Sequence, residues 1–439
     1  MRITRPILVC TLAAIALTAS TASSADAAAR GPAPYRVMAA TPNGQAAVEE
    51  VTAVLVAPEG IPTNYTPEKV AADLERADAY YANETDGRVR IHAESISDWQ
   101  VTDDPSVRCD DFESIHDFAA RFSGFTPGPD KHLMALVPQN SACAQASRGT
   151  EGSGANAGGF AFIAQEIPTA LAHELGHNMS LFHASSVSCS DSWDYDERAM
   201  PASCVRDEYG NDADLMGRAH TFLPFTAGTL DRLGLISHRV VPTCGSARRI
   251  TISTMSGGFD AQRIISWADP GDPAVSWFVQ YRDVVDGQEY PGATESPWAG
   301  DDIRPSGVQL SRTDPLYPEA TSIAVRPGDT SVMAERLLPG DEADLRHGMS
   351  VRVVSMDETA HRATVDVTVP CGAGGTTVEP MRSTDSSVPS GAMMQHAAGM
   401  PGMSGMPGMS GTTAPTAVNL DADLPGSRWD VADVLRLPA

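Results

Sequence analysis

His173-Glu-Leu-Gly-His-Asn-Met-Ser-Leu-Phe-His183 has the form HExxHxxxxxH, and the reading of the whole chain turns on it. On a helix, positions i and i+4 share a face, so His173 and His177 can offer imidazole nitrogens to one metal ion. Glu174 sits beside the first of them, where a carboxylate can reach a metal-bound water without taking a coordination position. His183 follows six residues after His177. On a continuing helix it would lie about 9 Å further along the axis, at ~1.5 Å per residue, out of reach of the same ion. The helix therefore has to end soon after His177, and the chain has to turn back. Three neutral imidazoles, an open fourth position and an adjacent carboxylate describe a catalytic zinc site rather than a closed structural one. The competing reading is a helix whose histidines decorate a surface or fill a core. Pro168 stands where the first turn would begin, a position that tolerates proline because its missing N–H would have no helical partner.

Upstream, the pattern is α/β. Val51 to Val56 is an apolar, β-branched strand, and Thr66-Pro67-Glu68 opens a helix with an N-cap, a proline and an early acid. That helix runs to about Asn83, with Val70, Leu74, Ala77 and Tyr81 at helical spacing. Asp86-Gly87 turns into the strand Val89 to Ile91, and Phe112 to Phe122 reads as a second helix. Leu133 to Val137 and Gly159 to Ala164 read as buried strands before the motif helix. An exposed strand edge near the site could form a rim that pairs with an extended peptide; an ordinary covered edge is the alternative.

Residues 1–27 have the form of a secretory signal peptide. Arg2 and Arg5 precede an apolar run from Ile7 to Ala19, and small residues follow at Ala25-Asp26-Ala27. The run is too short for a resident membrane span. Residues 28–49 read as a short extended segment or pro-segment. The remaining chain is long enough for two ordinary domains, at 42% hydrophobic content in 439 residues. A formal net charge of −25 argues against nucleic acid or an anionic membrane as partner. A monomer acting on a protein or peptide is expected, secreted to the extracellular space. Of seven cysteines, Cys10 lies in the leader and six remain, which in an exported protein predicts disulfides. Nearest-neighbour order suggests Cys109–Cys143, Cys189–Cys204 and Cys244–Cys371.

After His183 comes an acid-rich stretch containing Asp191, Asp194, Asp196, Asp207, Glu208 and Asp212. These could hold a Ca2+ ion, but the spacing fits no calcium loop, and a solvated acidic loop is the favoured reading. Asp214-Leu-Met-Gly217 follows, with Met216 in a tight turn.

The span from about 50 to 243 resembles the metzincin zinc metalloproteases, most closely the gametolysin-type, reprolysin-like members. The resemblance implies His173, His177 and His183 as zinc ligands, Glu174 as general base and Met216 as the Met-turn beneath the metal. It implies Zn2+ as cofactor and a helix carrying a Leu-Gly pair, which Phe225 to Leu235 offers at Leu233-Gly234. One position departs from the family pattern HExxHxxGxxH. Ser180 stands where the family has the glycine of the turn, so a non-glycine residue at positive φ is expected there; the alternative is a helix that runs on through Ser180, with a downstream acid such as Asp207 or Glu208 as third ligand. Arg218 stands where some metzincins place a tyrosine.

Residues 244–372 lose helical periodicity. Short β-rich runs at 249–254, 276–281, 308–311, 349–355 and 363–369 are separated by proline and glycine turns, the signature of a β-sandwich. Trp277, Phe278 and Tyr281 read as core, with a binding patch as the alternative. Residues 373–439 form a Met/Gly/Pro-rich, low-complexity tail, read as a flexible linker. Its thioethers offer a Cu(I)-binding alternative. The expected fold is thus an α/β metzincin-like catalytic domain, then an all-β sandwich, then a disordered tail. The expected activity is that of a secreted zinc endopeptidase. The competing class is a catalytically idle secreted binding protein retaining the zinc fold, and Glu174 beside all three histidines argues against it.

Overall fold

The structure, a computed structural model, describes residues 47–58, 65–138, 143, 147–165, 168–195, 200–211, 214–217, 222–236, 239–257, 261–283, 306–313, 321–329 and 334–371. The expected leader, most of segment 28–49 and the methionine-rich tail lie outside these residues.

The first half builds on β1 (Ala47–Pro58), α1 (Pro67–Glu84), β2 (Val89–Ile96), β3 (Gln100–Thr102), α2 (Phe112–Ser123), β4 (Lys131–Leu136), β5 (Arg148–Gly149), β6 (Gly159–Ile163) and α3 (Pro168–Asn178). Its sheet has the order β2-β1-β4-β6-β5, with β3 pairing the far end of β1. All pairings are parallel except that of β5 with β6. Both faces are covered, so the inner strands are apolar on each side. Val51, Ala53, Leu55, Met134, Leu136, Ala161 and Ile163 face α1 and α3. The alternate residues Val54, Val56, Leu133, Ala135, Phe160 and Phe162 face α2, as a period of two requires. Thr66 caps α1 through its hydroxyl, which accepts from the Lys69 N–H at 3.3 Å, with Pro67 following. Asp111 caps α2, and Gly124 ends it at φ 68°. Strand β1 starts at Ala47, before the expected start at Val51, because Glu49 is fully buried against His132 instead of facing solvent.

The second half carries β7 (Ala184–Cys189), β8 (Cys204–Asp207), α4 (Ala227–Arg232), β9 (Arg239–Val240), β10 (Arg248–Ser253), β11 (Ile264–Ala268), β12 (Ser276–Arg282), β13 (Gly307–Thr313), β14 (Thr321–Val325), β15 (Glu342–Asp344), β16 (Ser350–Asp357) and β17 (Arg362–Thr368). A four-stranded sheet, β10-β17-β16-β15, faces a seven-stranded sheet, β8-β7-β14-β13-β12-β11-β9. Ile250, Ile252, Val351, Val353, Val365 and Val367 from the first meet Ile265, Trp267, Trp277, Val279, Tyr281 and Leu310 from the second. Trp277 and Tyr281 are therefore core. Phe278, between them, points the other way into the core shared with α1, α3 and α4.

The seven-stranded sheet takes strands from both sides of residue 243. Strand β7, which begins directly after His183, lies parallel to β14 over five residue pairs from Ala184↔Thr321 to Val187↔Ala324 and Ser188↔Val325. The two halves meet again at α4, where the Gln280 side-chain oxygen accepts from the Ala227 N–H at 2.6 Å. Arg282 donates to the Pro224 carbonyl at 2.6 Å. Three disulfides pair as nearest-neighbour order suggests. Cys189–Cys204 closes the β7–β8 hairpin over a separation of 15 residues, worth ~3 kcal/mol in the chain-entropy model. No helix among the described residues is long and apolar enough to cross a membrane.

Because Phe278 from β12 sits in the same core as Leu171 and Leu175 from α3, the halves should unfold together. Phe278→Ala should cost about 3–5 kcal/mol and lower a single calorimetric transition. A split into two transitions, with only the later residues destabilised, would contradict this packing.

Candidate metal centre

Helix α3 presents His173 and His177 one turn apart and ends immediately afterwards. Ser180 has φ 73°. The Leu181 N–H donates to the Gly176 carbonyl at 2.9 Å, and the Ser180 N–H to the His177 carbonyl at 2.9 Å. This pair of bonds around a left-handed residue is a Schellman C-cap. It reverses the chain so that His183 comes back to the other two histidines. The nitrogens they offer lie within 4.8 Å of one another.

Serine in place of glycine has a local reason. Ser180 is fully buried, and its hydroxyl accepts from the guanidinium of the buried Arg232 on α4 at 2.5 Å. Arg232 also donates through Nε to the Ser180 carbonyl at 3.2 Å. The left-handed strain is thus offset by a charge-assisted bond.

Each histidine is fixed through its Nδ1. His173 Nδ1 lies 2.8 Å from the Leu215 carbonyl, His177 Nδ1 lies 2.8 Å from the Leu181 carbonyl, and His183 Nδ1 lies 2.8 Å from Glu208 Oε1. Carbonyl and carboxylate oxygens accept only, so Nδ1 is the protonated nitrogen in each ring. Nε2 then carries the lone pair. Burial pushes His173 down to about 3, helped by the neighbouring His183. Burial does the same to His177, well below the usual imidazole range, with His173 and His183 adding to it. Both rings are therefore neutral at physiological pH, as ligation requires. The hydrogen bond to His183 holds Glu208 below the ordinary carboxyl range.

Glu174 is buried, and its Oε2 has no hydrogen-bond partner among the described residues. Burial pushes its carboxyl up to about 8, with Arg148 on β5 acting in the opposite direction. An orphaned carboxyl oxygen beside three converging imidazoles fits a metal ion.

Met216 lies beneath α3. A Cβ at Gly176 would stand 2.6 Å from its sulfur, so a side chain there would displace the Met216 thioether. The buried Asp214 shapes the turn. Its carboxylate accepts from the Met216 N–H at 2.8 Å, the Thr226 N–H at 2.7 Å and the Thr229 hydroxyl at 2.8 Å. The Met216 carbonyl in turn accepts from the Ala184 N–H at 2.8 Å, tying the start of β7 to this floor.

Two participants take roles that the sequence does not assign. Glu208, with Asp207 the alternative third ligand, lies instead on His183. Tyr209 packs its ring 3.9 Å from that of His183, centroid to centroid, and no spacing rule pointed to it. The calcium alternative falls partly outside the described residues, and Asp194 and Glu208 among its acids are engaged elsewhere. Asp194 is buried near Arg312 and accepts from the Arg346 N–H at 3.2 Å, and Glu208 is engaged by His183. Among the described residues, the three histidines form the one group placed to hold a metal. Asp196 and Asp212 lie outside those residues.

No family model and no curated protein matches the chain. Among solved structures, a chaperone–substrate complex aligns at TM-score 0.23 and 14% identity, over 43% of this chain and 30% of that one. Metalloproteinase-II from Bacteroides fragilis aligns at TM-score 0.25 and 12% identity, over 46% of this chain and 57% of that one.

Ser180→Gly relieves ~1–2 kcal/mol of left-handed strain but removes a hydrogen bond to a charged group, worth ~1.5–3 kcal/mol. It should come out destabilising in chemical denaturation, and a clear gain in stability would count against the Arg232 contact. Glu174 bears on metal-free protein. Its folded pKa of about 8 exceeds the ordinary value of 4.5, so the folded state binds the extra proton between those values. Stability should therefore fall as pH rises from about 4.5 to about 8. Glu174→Gln in excess chelator should remove this slope, read as the difference in melting temperature from wild type. Parallel pH profiles would contradict it.

Proposed function

We propose that the protein is a secreted zinc-dependent endopeptidase of the metzincin type, closest to the gametolysin-like members. The observation that carries this reading is the convergence of three Nε2 lone pairs, each set by an acceptor on Nδ1, beside a buried carboxylate with an orphaned oxygen. Three imidazoles with one position open suit zinc. Zinc in such a setting supplies Lewis acidity to a water and to a carbonyl oxygen.

The chain's own residues do the rest. His173, His177 and His183 hold the ion, and Glu208 orients His183 and raises its basicity. Glu174 takes the proton of the attacking water and passes it to the leaving amine. Burial raises its proton affinity above that of an exposed carboxyl, and a cation held by the three histidines would lower it again, keeping the carboxylate available as a base. Met216 and Asp214 keep α3 and the returning strand at a fixed distance. Strand β5 is the edge of the first sheet, and a Cβ at Gly149 would stand 2.5 Å from the Glu174 carbonyl oxygen. A peptide added along that edge in extended form would bring its backbone past Glu174. Three disulfides fit an extracellular protein.

Glu174→Ala should bind one equivalent of zinc and lose ~10²–10⁴ in the rate of casein or peptide cleavage. Metal quantification alongside a digestion assay checks both halves. Wild-type turnover in that variant would remove Glu174 from the mechanism. Equal inactivity of wild type and variant, with zinc bound, would favour an idle binding protein.

A further inference from the structure

Beneath the C-terminal end of α3 lies a buried polar chain that the proposed chemistry does not use. Asn178, the last residue of the helix, is fully buried, as are His132 on β4 and Glu49 on β1. The Asn178 amide nitrogen donates to the Thr150 carbonyl at 2.8 Å and the Phe160 carbonyl at 3.1 Å. Both partners accept only, so the amide has one orientation, with its oxygen facing His132 Nδ1 at 3.1 Å. That oxygen cannot donate, so Nδ1 of His132 carries a proton. His132 Nε2 lies 2.7 Å from Glu49 Oε2, and the two share one further proton. The orientation of Asn178 is the same whichever atom holds it. Asp130, before β4, and Tyr81, on α1, are the other titratable groups that act on this couple.

The same amide lies where the chain after β5 is pressed onto the helix. A Cβ at Gly159 would stand 2.5 Å from the Asn178 amide. One at Gly152 would overlap the Asn178 carbonyl oxygen, and the Gly152 N–H donates to the His177 carbonyl at 2.9 Å. Thr150, which directly follows β5, is held to Asn178 through its own carbonyl and to β6 through its N–H, 2.9 Å from the Phe160 carbonyl.

We propose that Asn178, oriented by the Thr150 and Phe160 carbonyls and anchored to the buried Glu49–His132 couple, is a positioning residue. It fixes edge strand β5 against the metal helix and so governs the binding of extended peptides along that edge. The proposal rests on the peptidase reading for its kinetic consequence and on the hydrogen bonds alone for its structural one.

The test compares full-length wild type with Asn178→Ala. With a peptide long enough to pair along β5, KM should rise about tenfold, equivalent to ~1.4 kcal/mol of binding. Turnover number and zinc stoichiometry should stay within about twofold of wild type, and KM for a blocked dipeptide-sized substrate should be unchanged. Amide hydrogen exchange at Thr150 and Gly152 should accelerate. An unchanged KM for the long peptide, with only the melting temperature lowered, would overturn the proposal. If Asn178→Ala does not fold, the Glu49 variants decide. Glu49→Gln retains a donor to Nε2 and should keep the wild-type KM, whereas Glu49→Leu should raise it. Nitrogen-15 spectra of wild-type His132 should show a protonated Nδ1, and a bare Nδ1 would also overturn the proposal. If wild type cleaves no peptide, the peptidase reading fails, and the exchange and tautomer measurements still decide the structural claim.

Discussion

The bond from the Leu181 N–H to the Gly176 carbonyl, made possible by left-handed Ser180, ends α3 just beyond His177 and turns the chain back on itself. Without that reversal, His183 would continue away along the helix axis. With it, His183 faces the other two histidines, and the next residue, Ala184, is captured by the Met216 carbonyl. The reversal is itself buttressed from α4, since Arg232 holds both the hydroxyl and the carbonyl of Ser180. Metal helix, returning strand and floor are one mechanical unit.

The returning strand then leaves the first half of the molecule. Strand β7 pairs with β14, more than a hundred residues downstream, and β8 completes the hairpin that carries Glu208 at its end. The third histidine and its carboxylate partner are thus mounted on the sheet that forms one layer of the sandwich. The first two histidines and Glu174 are mounted on a helix packed against the other sheet. This division explains why β12 is buried along its whole length. Trp277 and Tyr281 face the sandwich core and Phe278 faces the core of the metal helix.

Much of this was legible in the sequence where the determinants are local. The Thr66-Pro67 helix start and the Asp86-Gly87 turn are read from single residues and their neighbours, and both are found. The positive φ of Ser180 followed from the need to bring His183 back. What was not legible depends on distant pairing. Nothing near Ala184 announces that Thr321 will lie beside it, because a parallel ladder has no connecting turn to mark its register. Glu49 read as the end of the extended segment 28–49, since its burial is intelligible only once His132 stands on the adjacent strand. Glu208 was legible as a rival ligand to His183 but not as its partner, for the same reason. An acid in an acidic run becomes specific only when the fold places one imidazole 2.8 Å away.

The central claim is that three imidazoles, two from helix α3 and one from the turn that leads into β7, meet at one ion through Nε2. X-ray absorption at the zinc edge of the reconstituted full-length protein tests it most directly. The account predicts three imidazole nitrogens at about 2.0–2.1 Å and one further light-atom ligand, with no sulfur. A first shell with two imidazoles, or with a sulfur scatterer at about 2.3 Å, would contradict it.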